Sequence, residues 1–184
     1  MSEKLDIAAN RRARKWTRGE LLGRAFWEFG GAVIFAFIPR PFWGLRRGLL
    51  RLFGARIGCA VHIFPSAAIS IPWNLEIGEG AAIGDRVIIY NLGKITIGPA
   101  ATVSQGAHLC AGSHDYRDPT MPLLKLPISI GEGAWICADA FVGPGVVIGD
   151  YAVVGARGVA MKDIAPYAVV AGNPARAIKK RVLP

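Results

Sequence analysis

The chain has 184 residues, 52% hydrophobic and only 19% charged, with a formal net charge of +9, which suits one domain carrying an appendage. The charge is uneven: residues 1–56 hold twelve Lys/Arg against four Asp/Glu, and the remainder ten against nine. A basic face fits nucleic acid or an anionic membrane surface, and the apolar content of the same segment favours the membrane and sets nucleic acid aside.

Residues 1–19 are polar and basic (Arg11, Arg12, Arg14, Lys15, Arg18) and are expected to be mobile except near Trp16. Leu21 to Ile38 is apolar but broken by Arg24, Glu28 and three glycines; its charge-free part, Phe29–Ile38, has ten residues. A spanning helix needs about twenty. A signal peptide fits poorly too, because the apolar part starts late and ends in Pro39-Arg40-Pro41 without a small-residue cleavage pattern. Phe42–Phe53 reads as a short amphipathic helix, with Phe42, Leu45, Leu49, Leu50 and Phe53 near one face and Arg46, Arg47 and Arg51 as polar partners. Two readings stand side by side: a helix in a membrane interface, or a cap on the open end of the domain that follows.

From Ile57 onward an aliphatic or small residue returns every sixth position. Ile57, Ile63 and Ile69 precede a disturbance at Pro72-Trp73-Asn74. Ile77, Ile83 and Ile89 follow, then Ile97, Val103 and Leu109 after a slip of two residues. Ile130, Ile136, Val142, Ile148, Val154 and Ala160 then run on in phase. Four residues after each, a second small or β-branched residue recurs, from Ala81 through Ser113 to Ala152. Such a hexad fits neither the helix nor the simple strand period. It predicts a parallel β-helix in which three hexads close a triangular coil and the next coil stacks at strand spacing. Glycines such as Gly78 and Gly149, one place after the aliphatic residue, are expected to relieve backbone strain at the corners.

The twenty-one residues from Leu109 to Ile130 read as a full coil plus three, with a loop (114–127) leaving the prism; expelled loops often carry function. Cys59, Cys110 and Cys137 are expected as buried reduced thiols, and without a CxxC pair no Cys-ligated zinc is expected. The basic tail Lys179-Lys180-Arg181 is expected to close the prism as a short helix. The domain reading is therefore 1–55, a helical segment; 56–171, the β-helix; and 172–184, the closing segment.

Three histidines are present: His62, His108 and His114. His114 stands in Gly112-Ser113-His114-Asp115, where regular hexads give way to the loop, and an exposed imidazole on a rigid coil can act as a general base. The hexads, this Gly-Ser-His-Asp corner, Trp135 and the exit Gly172-Asn173-Pro174-Ala175 resemble the left-handed β-helix acyltransferases. Over about residues 45–181 the chain most resembles the colanic acid biosynthesis O-acetyltransferases, relatives of the maltose and galactoside acetyltransferases.

That resemblance implies an all-β, left-handed parallel β-helix, assembled as a homotrimer with active sites between neighbouring prisms. It implies acetyl-CoA as co-substrate, His114 as the base, and a sugar or lipid-linked glycan hydroxyl as acceptor. It places Trp135, Ala138, Ala156, Met161, Lys162, Arg176 and Lys179 along the cofactor, with Lys162, Arg176 and Lys179 suited to its phosphates. Where galactoside-type enzymes carry an acceptor-side asparagine this chain has Gly84, so Asn91, Asp115 and Tyr116 are the acceptor-side candidates, with either Asp115 or a backbone carbonyl as the partner that positions the imidazole. A cytoplasmic location follows, with peripheral membrane association through the amino-terminal segment. Two alternatives come from other classes. One is a γ-carbonic-anhydrase-like zinc site, disfavoured because His108 and His114 lie six apart and His62 far upstream; the other is a silent scaffold.

Overall fold

A computed structural model describes residues 4–183. The repeat forms a three-faced parallel β-solenoid of five coils and a partial sixth. The first face stacks Arg56–Ile57, Leu75–Ile77, Ile95–Ile97, Ile128–Ile130 and Val147–Ile148. The second stacks His62–Ile63, Ala82–Ile83, Thr102–Val103, Trp135–Ile136, Val153–Val154 and Ala168–Ala171. The third stacks Ala68–Ile69, Ile88–Tyr90, His108–Cys110, Phe141–Val142 and Val159–Ala160. Register pairs each hexad aliphatic with its equivalent, as in Ile57–Ile77–Ile97–Ile130–Ile148. All of these side chains are buried, and with Ala81, Val87, Ala101, Ala134 and Ala152 they fill one continuous core.

Two sequence expectations about spacing change. The glycines after each aliphatic residue keep negative φ; a Cβ on Gly78 would lie 2.5 Å from the Pro99 nitrogen, and one on Gly149 2.4 Å from that of Pro166. They are small because the next coil passes directly over them. Left-handed backbone falls two places further on, mostly at non-glycine residues such as Ala60, Ala100 and Tyr151. The stretch Leu109–Ile130 is not a coil plus three. It is a single corner, the third, because Leu109 pairs with Val142 and Ile97 with Ile130. The same corner takes eight residues in the first two coils, which explains the two-residue slip.

Asn91 belongs to that corner. It is fully buried, its Oδ1 accepts from the N–H of Ser70 (3.2 Å) and Ile71 (2.9 Å), and its Nδ2 donates to the Ile71 carbonyl. An amide so committed staples coils together and is removed from the acceptor-side candidates. Two further corrections concern the thiols and the tail. Cys59 is exposed at a corner, whereas Cys110 and Cys137 are half-buried, with burial pushing the Cys137 thiol up. The tail forms no helix: Arg176–Lys180 is a strand, antiparallel to Ala168–Ala171, because the last coil leaves an edge that only extended backbone can pair.

The amino-terminal segment caps the other end. It contains α1 (Ile7–Arg12), α2 (Arg18–Phe26), a π-turn (Trp27–Gly31), α3 (Ala32–Phe37) and α4 (Trp43–Leu52). The first coil has no strand beneath it, so its outer carbonyls need donors. Arg51 donates to the Ile57 carbonyl (2.9 and 2.6 Å), Arg47 to Val61 (3.0 Å), Arg46 to Ile63 (2.7 Å), and the Trp27 indole to Ile69 (2.7 Å). The α4 arginines are thus not lipid-side partners; they turn inward, and Leu45 and Leu52 point out. Nor are residues 6–12 loose, against the expectation for 1–19: α1, capped by the Asp6 side chain, docks on the loop after His114, while the first three residues of that stretch lie outside the described residues.

Candidate active site

The third-corner insertion begins as a small hairpin in which Ser113–His114 pairs antiparallel with Leu123–Leu124. Ser113 consequently leaves the inward pattern and is only half-buried. The hairpin carries the exposed His114 outward, and the turn returns the Met121 carbonyl to 2.7 Å from its Nδ1. A carbonyl can only accept, so Nδ1 holds the proton and the Nε2 lone pair is free. Met121 adopts left-handed backbone (φ 44°), which costs a non-glycine residue about 1–3 kcal/mol and is held here by its N–H to the Asp118 carbonyl (2.8 Å).

Asp115 does not orient the ring. Its carboxylate accepts from the side chain and backbone of Arg117 (3.0 and 3.1 Å), which hold it below the usual carboxylate range. Tyr116 is exposed on the same loop. Gly84 cannot be replaced by a side chain reaching an acceptor, since a Cβ there would meet the Gln105 nitrogen at 2.7 Å.

The other histidines lie elsewhere. His62 stacks on Trp43 (4.9 Å between centroids) at the second face. His108 packs edge-on against Phe141 (5.2 Å) at the third, where burial lowers its pKa. The three imidazoles share no centre, and among the described residues no group of His, Cys, Asp and Glu could hold a metal ion.

The cofactor-side residues separate into groups. Trp135 stands half-exposed on the second face, its indole N–H donating to Ser104 Oγ (2.9 Å). Ala138 and Ala156 stack at the next corner, tied by the Arg157 N–H to the Ala138 carbonyl (2.9 Å). Met161, Lys162 and Arg176 line one cavity of about 370 Å³ at the far end of the prism, with Met161 and Lys162 on the same corner as His114 but two coils further along. Lys179 is exposed on the closing strand. In a triangular prism the third corner is opposite the second face, so one chain does not bring His114 to Trp135. The sequence allowed a backbone carbonyl as the imidazole's partner but not its placement at Met121, because a backbone atom leaves no residue-type signal.

Comparison with known proteins agrees with the β-solenoid fold. The pattern "Bacterial transferase hexapeptide (six repeats)" matches residues 127–159. The chain is 45% identical over 164 residues, 89% of its length and 90% of the relative's, to "Putative colanic acid biosynthesis acetyltransferase WcaF" of Escherichia coli (strain K12). Among solved structures it resembles a galactoside acetyltransferase in complex with coenzyme A (26% identity, TM-score 0.79, 95% of this chain and 88% of that one). It also resembles a maltose O-acetyltransferase from Clostridium difficile 630 (25% identity, TM-score 0.80, 89% of each chain).

Proposed function

The chain belongs to the bacterial hexapeptide-repeat acetyltransferases, and from that premise we propose that it transfers acetyl from acetyl-CoA to a sugar hydroxyl of a glycan precursor, with His114 as general base. The observation that carries this reading is the Nδ1–H···O=C bond to Met121, which leaves Nε2 as the proton acceptor. His114 Nε2 takes the hydroxyl proton as the oxygen attacks the thioester carbonyl. A backbone N–H of a facing coil steadies the oxyanion. As the tetrahedral adduct collapses, the C–S bond breaks and the imidazolium returns its proton to the departing thiolate. No acyl-enzyme is needed, because both substrates meet in one cleft. The opposed placement of His114 and Trp135 supports a homotrimer in which one copy supplies the base and its neighbour the aromatic wall.

Lys162 and Arg176, both lining the end cavity, suit the cofactor's phosphates. In a calorimetric titration, Lys162→Ala and Arg176→Ala should each weaken CoA about tenfold, with the gap narrowing as salt rises. Equal affinity of the parent protein for CoA and for pantetheine would remove the phosphate site.

The acceptor side of this reading includes the membrane. Among the described residues no helix is long and apolar enough to cross one. Yet Leu22, Phe26, Phe29, Val33 and Phe37 form an outward stripe on α2–α3, with Phe29 and Phe37 81% and 82% exposed, and Leu45 and Leu52 of α4 are exposed as well. A stripe this apolar, with Arg18 and Arg40 at its ends, suits the surface of an anionic bilayer and would hold the enzyme peripherally on its cytoplasmic side, beside a lipid-linked acceptor. Co-sedimentation with phosphatidylglycerol vesicles should be salt-sensitive and be lost in the folded Phe26→Gln/Phe29→Gln variant. Retention by that variant would dismiss the stripe as an anchor.

A further inference from the structure

A second cavity, of about 410 Å³, lies between the docked α1 with the residues after it and the His114 loop. Its walls are held by the Asp6 N–H on the Pro119 carbonyl (2.8 Å), Asn10 Nδ2 on the carbonyls of Thr120 (2.7 Å) and Met121, and Lys125 Nζ on that of Lys15 (2.9 Å). Arg14, Lys15 and Lys125 line it, and no carboxylate does. Among the described residues none of these three cations makes an ion pair. Glu20, close enough to feel the charge of Lys125, is occupied in accepting the Thr17 N–H (2.6 Å).

Each cation keeps donors in reserve. Arg14 spends only Nε, on the Trp16 carbonyl (3.3 Å). Lys15 spends one N–H on Asn10 Oδ1 (2.6 Å). Lys125, lying 3.4 Å over the Trp16 ring, spends one on the Lys15 carbonyl. Three like charges around one concavity repel each other, and a multiply charged anion with several oxygens is the group that would both neutralise them and use those donors. A single carboxylate would leave excess positive charge. The cavity also shares a wall with the base: the Met121 carbonyl accepts from both Asn10 and His114, and Leu123 is the hairpin partner of His114.

We propose that this cavity is the phosphate subsite of the acceptor, so that the hydroxyl acetylated belongs to a sugar carried on a phosphate or diphosphate. The proposal rests on the acetyltransferase reading and narrows its acceptor class. The test is calorimetric titration of the full chain with inorganic pyrophosphate. One site per chain is expected, salt-sensitive, undisturbed by saturating CoA, and weakened about tenfold by either Arg14→Ala or Lys125→Ala. CoA binding should show the reverse pattern, unchanged in those variants and weakened by Lys162→Ala. Because Lys125 also packs on Trp16, the exposed Arg14 provides the variant free of folding effects. Two further probes separate the sources of the phosphate: a tighter uridine diphosphate points to a nucleotide-linked sugar, and a tighter short-chain isoprenyl diphosphate to a lipid-linked one. Displacement of pyrophosphate by CoA, or full affinity in Arg14→Ala, would overturn the proposal, and neither result would touch CoA binding itself.

Discussion

His114→Ala is expected to lower acetyl transfer by about 10²–10⁴-fold while CoA binding stays within twofold of the parent. That loss corresponds to about 3–5.5 kcal/mol of transition-state stabilisation. The reasoning is geometric. The imidazole is exposed, its tautomer is fixed by the Met121 carbonyl, and Asp115 is occupied by Arg117, so no second carboxylate stands ready to take over the proton. Turnover should therefore fall with little change in the cofactor's dissociation constant, since Lys162 and Arg176 lie two coils away. Parent-level turnover in His114→Ala, measured with the same acceptor, would remove the base assignment and leave the fold untouched.

The second large effect is on stability and concerns Arg46. Its guanidinium is fully buried without an acidic partner, and burial lowers its pKa. It is compensated by four carbonyls: Ile63 (2.7 Å), Ile38 (2.8 Å), Pro39 (3.0 Å) and Arg40 (2.7 Å). Arg46→Ala would leave these acceptors facing a cavity. Unmet buried polar groups cost about 1–3 kcal/mol each, and relaxation recovers part of the total, so a net loss of about 3–5 kcal/mol is expected. For a chain of this size that is a fall of about 10 °C in the unfolding midpoint. Arg46→Lys, which keeps the charge but not the planar fork, should fall between. An unchanged midpoint in Arg46→Ala would show that α4 is held by Leu50 and its apolar neighbours alone.

The core was legible because burial and spacing coincide: a side chain six places on from a buried one is again carried into the prism, and Ile130 to Ala160 keep that phase without a break. The third corner was not, because a corner has no required length. Eight residues after Ile69 and Ile89, twenty-one after Leu109 and six after Val142 all satisfy the same stacked register. The direction of α4 was ambiguous for a related reason. Its pattern of arginines and leucines suits lipid or a sheet end alike, and only the unpaired carbonyls of the first coil decide that Arg46, Arg47 and Arg51 turn inward with Leu50 while Leu45 and Leu52 face out. Asn91 looked like an acceptor ligand for want of knowing that backbone groups of the previous coil surround it. His114 could be singled out because it breaks the hexad at a loop junction; its partner, a carbonyl at Met121, could not.

The central claim, transfer of acetyl to an oxygen under the control of His114, is tested most directly by following radiolabelled acetyl from acetyl-CoA into phosphate-linked glycan acceptors and treating the product with mild alkali. The expected result is label on the acceptor that is released by alkali as acetate, present with the parent protein and reduced at least a hundredfold with His114→Ala. Label that resists alkali, as an amide would, or that forms equally well with His114→Ala, would contradict it.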